Sequence, residues 1–264
     1  MEIYTNTLAE AHEAAFDAIL NRHKEIYIQT HVDKEEFTLE FEDADGNPDE
    51  IKIRIKHPLE EPQISDGSKY GPLFTEAYKK QFLTLSPPRV DGKQATYTYW
   101  NRLKDFPHIE NAMKWLGDGK GDGYDQMMET IKKLADDPNS RRGVMVTWNP
   151  LIDTKSLEPP CMNWLQVVIR NGKVHLRVLF RSQDILLGLP ENLVGCSALL
   201  QWIVSELQKL GLKVVAGILV LISTIPHIYK KRDAEDFDKM KNHILELKSL
   251  DSLHIKKWNP RVVE

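Results

Sequence analysis

Residues 158–195 read EPPCMNWLQVVIRNGKVHLRVLFRSQDILLGLPENLVG, and the rest of the chain is read outward from this stretch. A lone cysteine, Cys161, follows Pro159-Pro160. Two apolar runs, 167–169 and 174–180, flank Asn171-Gly172. That dipeptide is a strong signal for a two-residue β-hairpin, whose central positions both need positive φ. The second run ends at Arg181-Ser182-Gln183-Asp184, and the tight corner Gly188-Leu189-Pro190-Glu191-Asn192 follows. A nucleophile, an anion binder, a carboxylate and an amide therefore sit on one compact framework, which reads as a catalytic site.

On the C-terminal side, 194–210 is predicted helical, because Leu199, Leu200, Ile203, Leu207 and Leu210 share one face. A buried strand is expected at 214–223, closed by Pro226-His227-Ile228-Tyr229, and a helix within 233–250. The tail from 253 is short and polar around Trp258. On the N-terminal side, 124–135 reads as a helix ended by Asp136-Asp137-Pro138-Asn139-Ser140. Arg141-Arg142 then precede an apolar strand at 143–148. Two readings of these arginines stay open: solvated surface charges, or a bidentate phosphate grip.

Tyr97, Tyr99 and Trp100 form a dense aromatic group that packs a core or lines a pocket. A short helix is expected at 74–83, with Phe74, Tyr78 and Phe82 on one side, and a proline-containing loop at 86–92. Residues 56–70 read as an irregular connection. Residues 37–41 and 51–55 alternate with a period of two around Asp-Gly and Asn-Pro, which predicts a hairpin. Residues 7–21 read as an amphipathic helix. The simplest account is one α+β domain over 1–264.

Composition narrows the function classes. The chain has 264 residues, 41% of them hydrophobic, and a formal net charge of −4, which argues against general nucleic-acid binding but leaves room for a local phosphate pocket. No apolar run reaches membrane-spanning length and no export signal is evident, so a cytoplasmic protein with free thiols is expected. The nine histidines lack ligand spacing and no Cys-x-x-Cys occurs, so no metal site is expected. The glycine-rich run at 117–123 lacks the features of a phosphate loop. Of the two cysteines, Cys196 lies on the apolar face of a helix and reads as core. Cys161, if a neighbouring guanidinium stabilises its thiolate, can serve as a nucleophile.

Taken in order, Arg141-Arg142, Pro160-Cys161, Arg181-Ser182-Gln183-Asp184, Gly188-Leu189-Pro190-Glu191-Asn192 and His227-Ile228-Tyr229 resemble the thymidylate synthase family, which includes the pyrimidine-nucleotide hydroxymethylases. The resemblance covers roughly 97–229, taken as the catalytic core, with 1–95 divergent. It implies a three-layer α+β fold with a large twisted mixed sheet packed against helices, and a homodimer formed across that sheet. It implies that Cys161 attacks C6 of a pyrimidine nucleoside monophosphate and that C5 takes the one-carbon unit of methylenetetrahydrofolate. Arg181 and Ser182 would bind the 5′-phosphate, with Arg141 and Arg142 reaching it from the partner. Asn192 would read the base, His227 and Tyr229 the sugar 3′-hydroxyl, and Asp184 the pterin ring. Tyr99 resembles the family's tyrosine beside the reacting ring. Glu76 is the candidate proton-handling glutamate, with Glu60 and Glu61 as rivals.

The chain also departs from the family pattern. Met162 replaces a histidine common after the cysteine, Ile225 stands where an acidic residue is usual, and Glu191 replaces a common apolar residue. The tail lacks the apolar terminus that closes over the ligands. Methylation of dUMP to dTMP is the leading expectation, with hydroxymethylation of dUMP, dCMP or CMP as the alternative. A nucleotide-binding homologue without turnover is a third.

Overall fold

The computed structural model describes residues 1–28, 36–84, 89–90, 93–94, 97–106, 123–254, 257–258 and 260–263. The expected loop at 86–92, apart from residues 89–90, and the glycine-rich run at 117–122 lie outside the described residues.

The architecture is α+β. Its first sheet has seven strands of mixed direction: β1 (Glu2–Thr5), β4 (Ile51–Ile55), β7 (Gly143–Val146), β8 (Met162–Arg170), β9 (Lys173–Phe180), β11 (Val215–Ser223) and β13 (Arg261–Val263). Their spatial order is β13-β1-β4-β11-β9-β8-β7. A second, four-stranded sheet has the order β10-β12-β3-β2, from β2 (His23–Ile28), β3 (Glu36–Phe41), β10 (Gln183–Asp184) and β12 (Pro226–Tyr229). A small hairpin joins β5 (Arg89–Val90) to β6 (Lys93–Gln94).

The Asn171-Gly172 turn is the hairpin its sequence predicts. Both residues have positive φ, 52° and 70°, and β8 and β9 leave it antiparallel from the pair Arg170 and Lys173. Alternation in β9 sends Val174, Leu176, Val178 and Phe180 inward, all fully buried.

The expected hairpin between 37–41 and 51–55 does not form. β4 enters the seven-stranded sheet, parallel to β1 and antiparallel to β11, whereas β3 pairs with β2 and β12 in the other sheet. Helix α1 (Leu8–Asn21) explains the split, because it packs against strands of both sheets. Leu39 and Phe41 of β3, and Ile51, Ile53 and Ile55 of β4, are thereby buried. Thr7 caps α1 by accepting from the Glu10 amide, and Glu10 in turn accepts from the Asn6 amide.

The remaining helices are α2 (Pro72–Phe82), α3 (Tyr99–Lys104), α4 (Gln126–Asp136), α5 (Pro150–Asp153), α6 (Gly188–Lys209) and α7 (Ala234–Ser252). Of these, α6 is the central one. Its residues 192–200 are all buried, so it is apolar nearly all round and touches β9, β11, α1, α2 and α4. Gly195 lets α2 approach, since a Cβ there would lie 2.3 Å from the Phe82 ring. No helix among the described residues is long and apolar enough to cross a membrane.

Among the described residues, the outward face of the seven-stranded sheet is partly open to solvent. Val144 and Val146 of β7 are exposed there, beside the partly exposed Trp164, Leu179 and Ile222 on neighbouring strands.

Candidate active site

The β8–β9 pairing builds the centre of the site. Met162 pairs with Phe180, so Cys161 just before β8 and Arg181 just after β9 must lie side by side, although twenty residues apart in sequence. The Arg181 amide donates to the Cys161 carbonyl at 2.8 Å, and the Arg181 guanidinium lies 3.6 Å from the Cys161 sulfur. The same guanidinium donates to the carbonyls of Pro160, at 3.2 Å, and Pro159, at 2.9 Å, which holds the double-proline segment against it. Burial pushes the thiol above its usual range, and the Arg181 charge pulls it back part of the way. Cys196 is inert by contrast: it is fully buried in α6, and burial alone pushes its thiol up to about 12.

Strand β10 continues the chain from Arg181 and runs parallel to β12, with Asp184 opposite His227. His227 Nδ1 donates to the Ile225 carbonyl at 3.1 Å and lies 3.5 Å from the Ser182 hydroxyl. With its proton on Nδ1, the ring presents Nε2 as an acceptor. Tyr229 packs edge-on to His227 at 5.0 Å. Asn192, in the first turns of α6, is buried, and its amide nitrogen lies 3.4 Å from Gln183 Oε1.

The aromatics form a wall. Tyr70 stacks on Phe74 at 4.1 Å and Phe74 on Tyr78 at 5.2 Å; Tyr78, Phe82 and Tyr99 continue the row, and Tyr99 meets Phe180 edge-on. Burial raises the Tyr99 and Tyr97 hydroxyls well above their usual range, and a charge on Cys161 would raise them further. Arg102 supports this corner from below. It is buried, forms a bidentate pair with Asp153 at 2.8 and 2.9 Å, and lies 5.3 Å from the Tyr97 ring.

Cys161, Arg181, Ser182, Asp184, Asn192, His227, Tyr229 and Tyr99 thus form one continuous group. Glu76 does not join it. Its carboxylate is about two-thirds exposed and pairs with Lys79, on the face of α2 opposite Phe74, Tyr78 and Phe82. Arg141 and Arg142 also stand apart. They are exposed and precede the end of β7 that pairs with Val167, whereas Cys161 adjoins the other end. Seven residues of extended strand separate the two ends, roughly 20 Å, well beyond the reach of an arginine side chain.

Three residues at this site carried little or no sequence signal as site residues. Arg232 donates to Asp184 at 2.9 Å, pairs with Asp233, and lies 3.9 Å over the Tyr229 ring. Glu191, visible in sequence only as a departure, accepts from the Tyr70 hydroxyl at 2.7 Å. Tyr70 itself lies in the irregular connection. Among the described residues no group of three or more His, Cys, Asp or Glu is arranged to hold a metal ion.

A family model described as thymidylate synthase matches residues 78–261. A protein of Methanosarcina barkeri named "Putative thymidylate synthase" is 36% identical over 193 residues, covering 73% of this chain and 76% of its own. A protein of Methanocaldococcus jannaschii with the same name is 31% identical over 205 residues, covering 76% of this chain and 77% of its own. The bifunctional dihydrofolate reductase-thymidylate synthase of Zea mays is 33% identical over 113 residues, 43% of this chain and 21% of its own. The chain belongs to the thymidylate synthase family.

Proposed function

We propose that the protein methylates dUMP to dTMP, using methylenetetrahydrofolate as one-carbon and hydride donor. The observation that carries this reading is the Arg181 guanidinium beside the Cys161 thiol at the adjoining ends of β8 and β9. Asn192 on α6 and His227 on β12, opposite Asp184, stand beside it.

Cys161, as thiolate, adds to C6 of the pyrimidine. Addition ends the conjugation of the ring and places electron density at C5, which then bonds to the one-carbon unit. Asn192 pairs through its amide with the O4 and N3 edge of uracil, so charge that develops at O4 during attack meets a fixed donor. Arg181 and Ser182 grip the 5′-phosphate, His227 and Tyr229 accept and orient the 3′-hydroxyl, and Tyr99 borders the reacting ring. Asp184 faces the pterin. The folate supplies the carbon and the reducing equivalents. The C5 proton passes to water as the bond between the one-carbon unit and the folate nitrogen breaks, hydride from the folate reduces the resulting exocyclic methylene to methyl, and the Cys161–C6 bond breaks as dihydrofolate leaves.

The partly open outward face of the seven-stranded sheet supports a homodimer. In such a dimer Arg141 and Arg142, too far from Cys161 of their own chain, reach the phosphate of the partner's site. Mixing inactive Cys161→Ser subunits with inactive Arg142→Ala subunits then restores about a quarter of the native activity, since half the dimers carry one intact site.

A second reading is hydroxymethylation of dUMP, dCMP or CMP, with water in place of hydride. One observation favours it. Residues 261–263 are hydrogen-bonded to β1 as an edge strand, and Trp258 donates to Glu13 at 3.1 Å, so this stretch of tail is engaged away from β8 and β10. A site less completely shielded from water favours addition of water. Mass analysis of products from each nucleotide, with dihydrofolate absorbance followed in parallel, separates the readings. A methylated uracil nucleotide with dihydrofolate supports the first, and a product heavier by one oxygen without folate oxidation supports the second. Tight nucleotide binding with no product from dUMP, dCMP or CMP would identify a nucleotide-binding homologue and overturn both.

A further inference from the structure

Pairing of β11 with β4 stops at Leu219 and Ile55, where β11 bulges between Ala216 and Leu219. The strands open there onto a cavity of about 560 Å³, whose wall includes Tyr4, Asn6, Arg54, Lys56, Ile218 and Arg261. Three cations converge on it, from β4, from the residue just after β4, and from β13. The guanidiniums of Arg54 and Arg261 lie 5.8 and 5.3 Å from the centre of the Tyr4 ring, which stands on β1 between their two strands. Arg54 Nε lies 3.5 Å from Glu2, but the Arg54 guanidinium makes no hydrogen bond among the described residues. Lys56 and Arg261 pair with no carboxylate among them. Two carboxylates touch the lining residues, and both are engaged. Glu2 accepts from the Tyr4 hydroxyl at 2.6 Å and from Lys52, and Glu10 accepts from the Asn6 backbone amide at 2.8 Å.

In a chain of net charge −4, this concentration of positive charge is local. Like charges gathered in this way repel, and an anion that enters relieves the repulsion and gives the open forks their acceptors. Guanidinium forks match phosphate oxygens two at a time, Lys56 adds a point charge, and the Asn6 side chain adds a neutral donor. The cavity has the size of a small-molecule site. We propose that it binds the phosphate chain of a small triphosphate-bearing molecule. The site is separate from the catalytic centre. Arg54 stands opposite Val220 and Val220 opposite Arg177, so two strand spacings and four residues of strand separate Arg54 from Arg181, roughly 15–17 Å. It is also remote from Val144 and Val146, since five strand spacings, roughly 24 Å, separate β1 from β7. A bound phosphate chain bridges Arg54 of β4 to Arg261 of β13, and so pins β13 to the sheet beyond its pairing with β1.

The test is calorimetric titration of tripolyphosphate and, separately, of ATP into the full chain, at low ionic strength and without divalent metal. Wild type is compared with Arg54→Gln, Arg261→Gln, Arg181→Met and Lys133→Gln, the last an exposed lysine of α4, the helix that packs against β7. Affinity is expected to fall about tenfold in Arg54→Gln and in Arg261→Gln. It stays within roughly twofold in Arg181→Met and Lys133→Gln. Arg261 is exposed, so its variant tests the site even if Arg54→Gln fails to fold. Amide hydrogen exchange at 261–263 slows when tripolyphosphate is added to wild type, and does not slow in Arg261→Gln. Equal affinity for the two ligands supports a site for phosphates alone, and tighter ATP supports one that also takes the nucleoside. Absence of binding by wild type overturns the inference. So does equal weakening in Lys133→Gln, which marks a diffuse field, or loss in Arg181→Met alone, which places the anion at the catalytic centre. None of these readouts depends on turnover.

Discussion

Replacing Arg181 with Met removes the only positive charge hydrogen-bonded to the Cys161 sulfur among the described residues. At 3.6 Å, in an effective dielectric of about 20, a guanidinium and a thiolate attract by 4–5 kcal/mol. Both groups are partly exposed, so solvent screening leaves roughly half of this attraction. The direction is fixed: burial already holds the thiol high, and loss of Arg181 raises it further. The assay is alkylation of free protein by iodoacetamide as a function of pH, which needs neither nucleotide nor folate. Cys196 stays silent because it is fully buried in the core. Below the midpoint, Arg181→Met is expected to slow alkylation by about ten- to a hundredfold. Arg181 also ties down Pro159 and Pro160, so Arg181→Lys serves as the control, keeping the charge while losing the fork. Its midpoint should move by less than about half a unit. An Arg181→Met midpoint equal to or below that of the wild type would refute the electrostatic coupling.

Further predictions follow from other contacts. Arg102→Leu strands the buried Asp153 carboxylate and should cost about 3–5 kcal/mol in urea unfolding, much of it recovered when Asp153→Leu is added. Gly195→Ala sets a methyl against the Phe82 ring; a loss of about 1–3 kcal/mol is expected, and a wild-type urea midpoint would mean that α2 yields freely. His12 is fully buried, donates to the Leu186 carbonyl, and has its pKa lowered by burial from 6.5 to about 4. The unfolded chain therefore binds the extra proton first, and stability falls as pH drops from 6.5 toward 4, by about 3 kcal/mol from this residue. Unfolding midpoints measured across that range should show a slope that His12→Gln reduces by close to one proton.

The parts legible in sequence are those governed by local rules. Asn171-Gly172 demands a hairpin because few other dipeptides accept two positive φ angles, and the hairpin alone brings Cys161 to Arg181. The apolar spacing of 194–210 locates the core helix, although α6 begins six residues earlier, at the corner that carries Asn192. Parts set by distant partners were not legible. β3 and β4 alternate like a hairpin, and only the packing of α1 against both sheets sends them apart. Strands β1, β2 and β13 are short or at sheet edges, with little apolar alternation of their own. Glu76 shows why a helical glutamate is hard to place: its spacing from Phe74 and Tyr78 turns it to solvent, which becomes informative only once the buried face of α2 is known. Arg232 and Tyr70 join the site through contacts spanning 48 and 121 residues, which no local pattern encodes.

The central claim is carbon transfer to C5 of a pyrimidine nucleotide through Cys161. The most direct measurement is the mass of the nucleotide recovered after incubating the protein with dUMP and methylenetetrahydrofolate, beside a Cys161→Ser control that still binds dUMP. The account predicts a nucleotide heavier by one methylene with dihydrofolate formed, and no change in the control. A nucleotide of unchanged mass from folded, dUMP-binding wild-type protein, or equal product from Cys161→Ser, would contradict it.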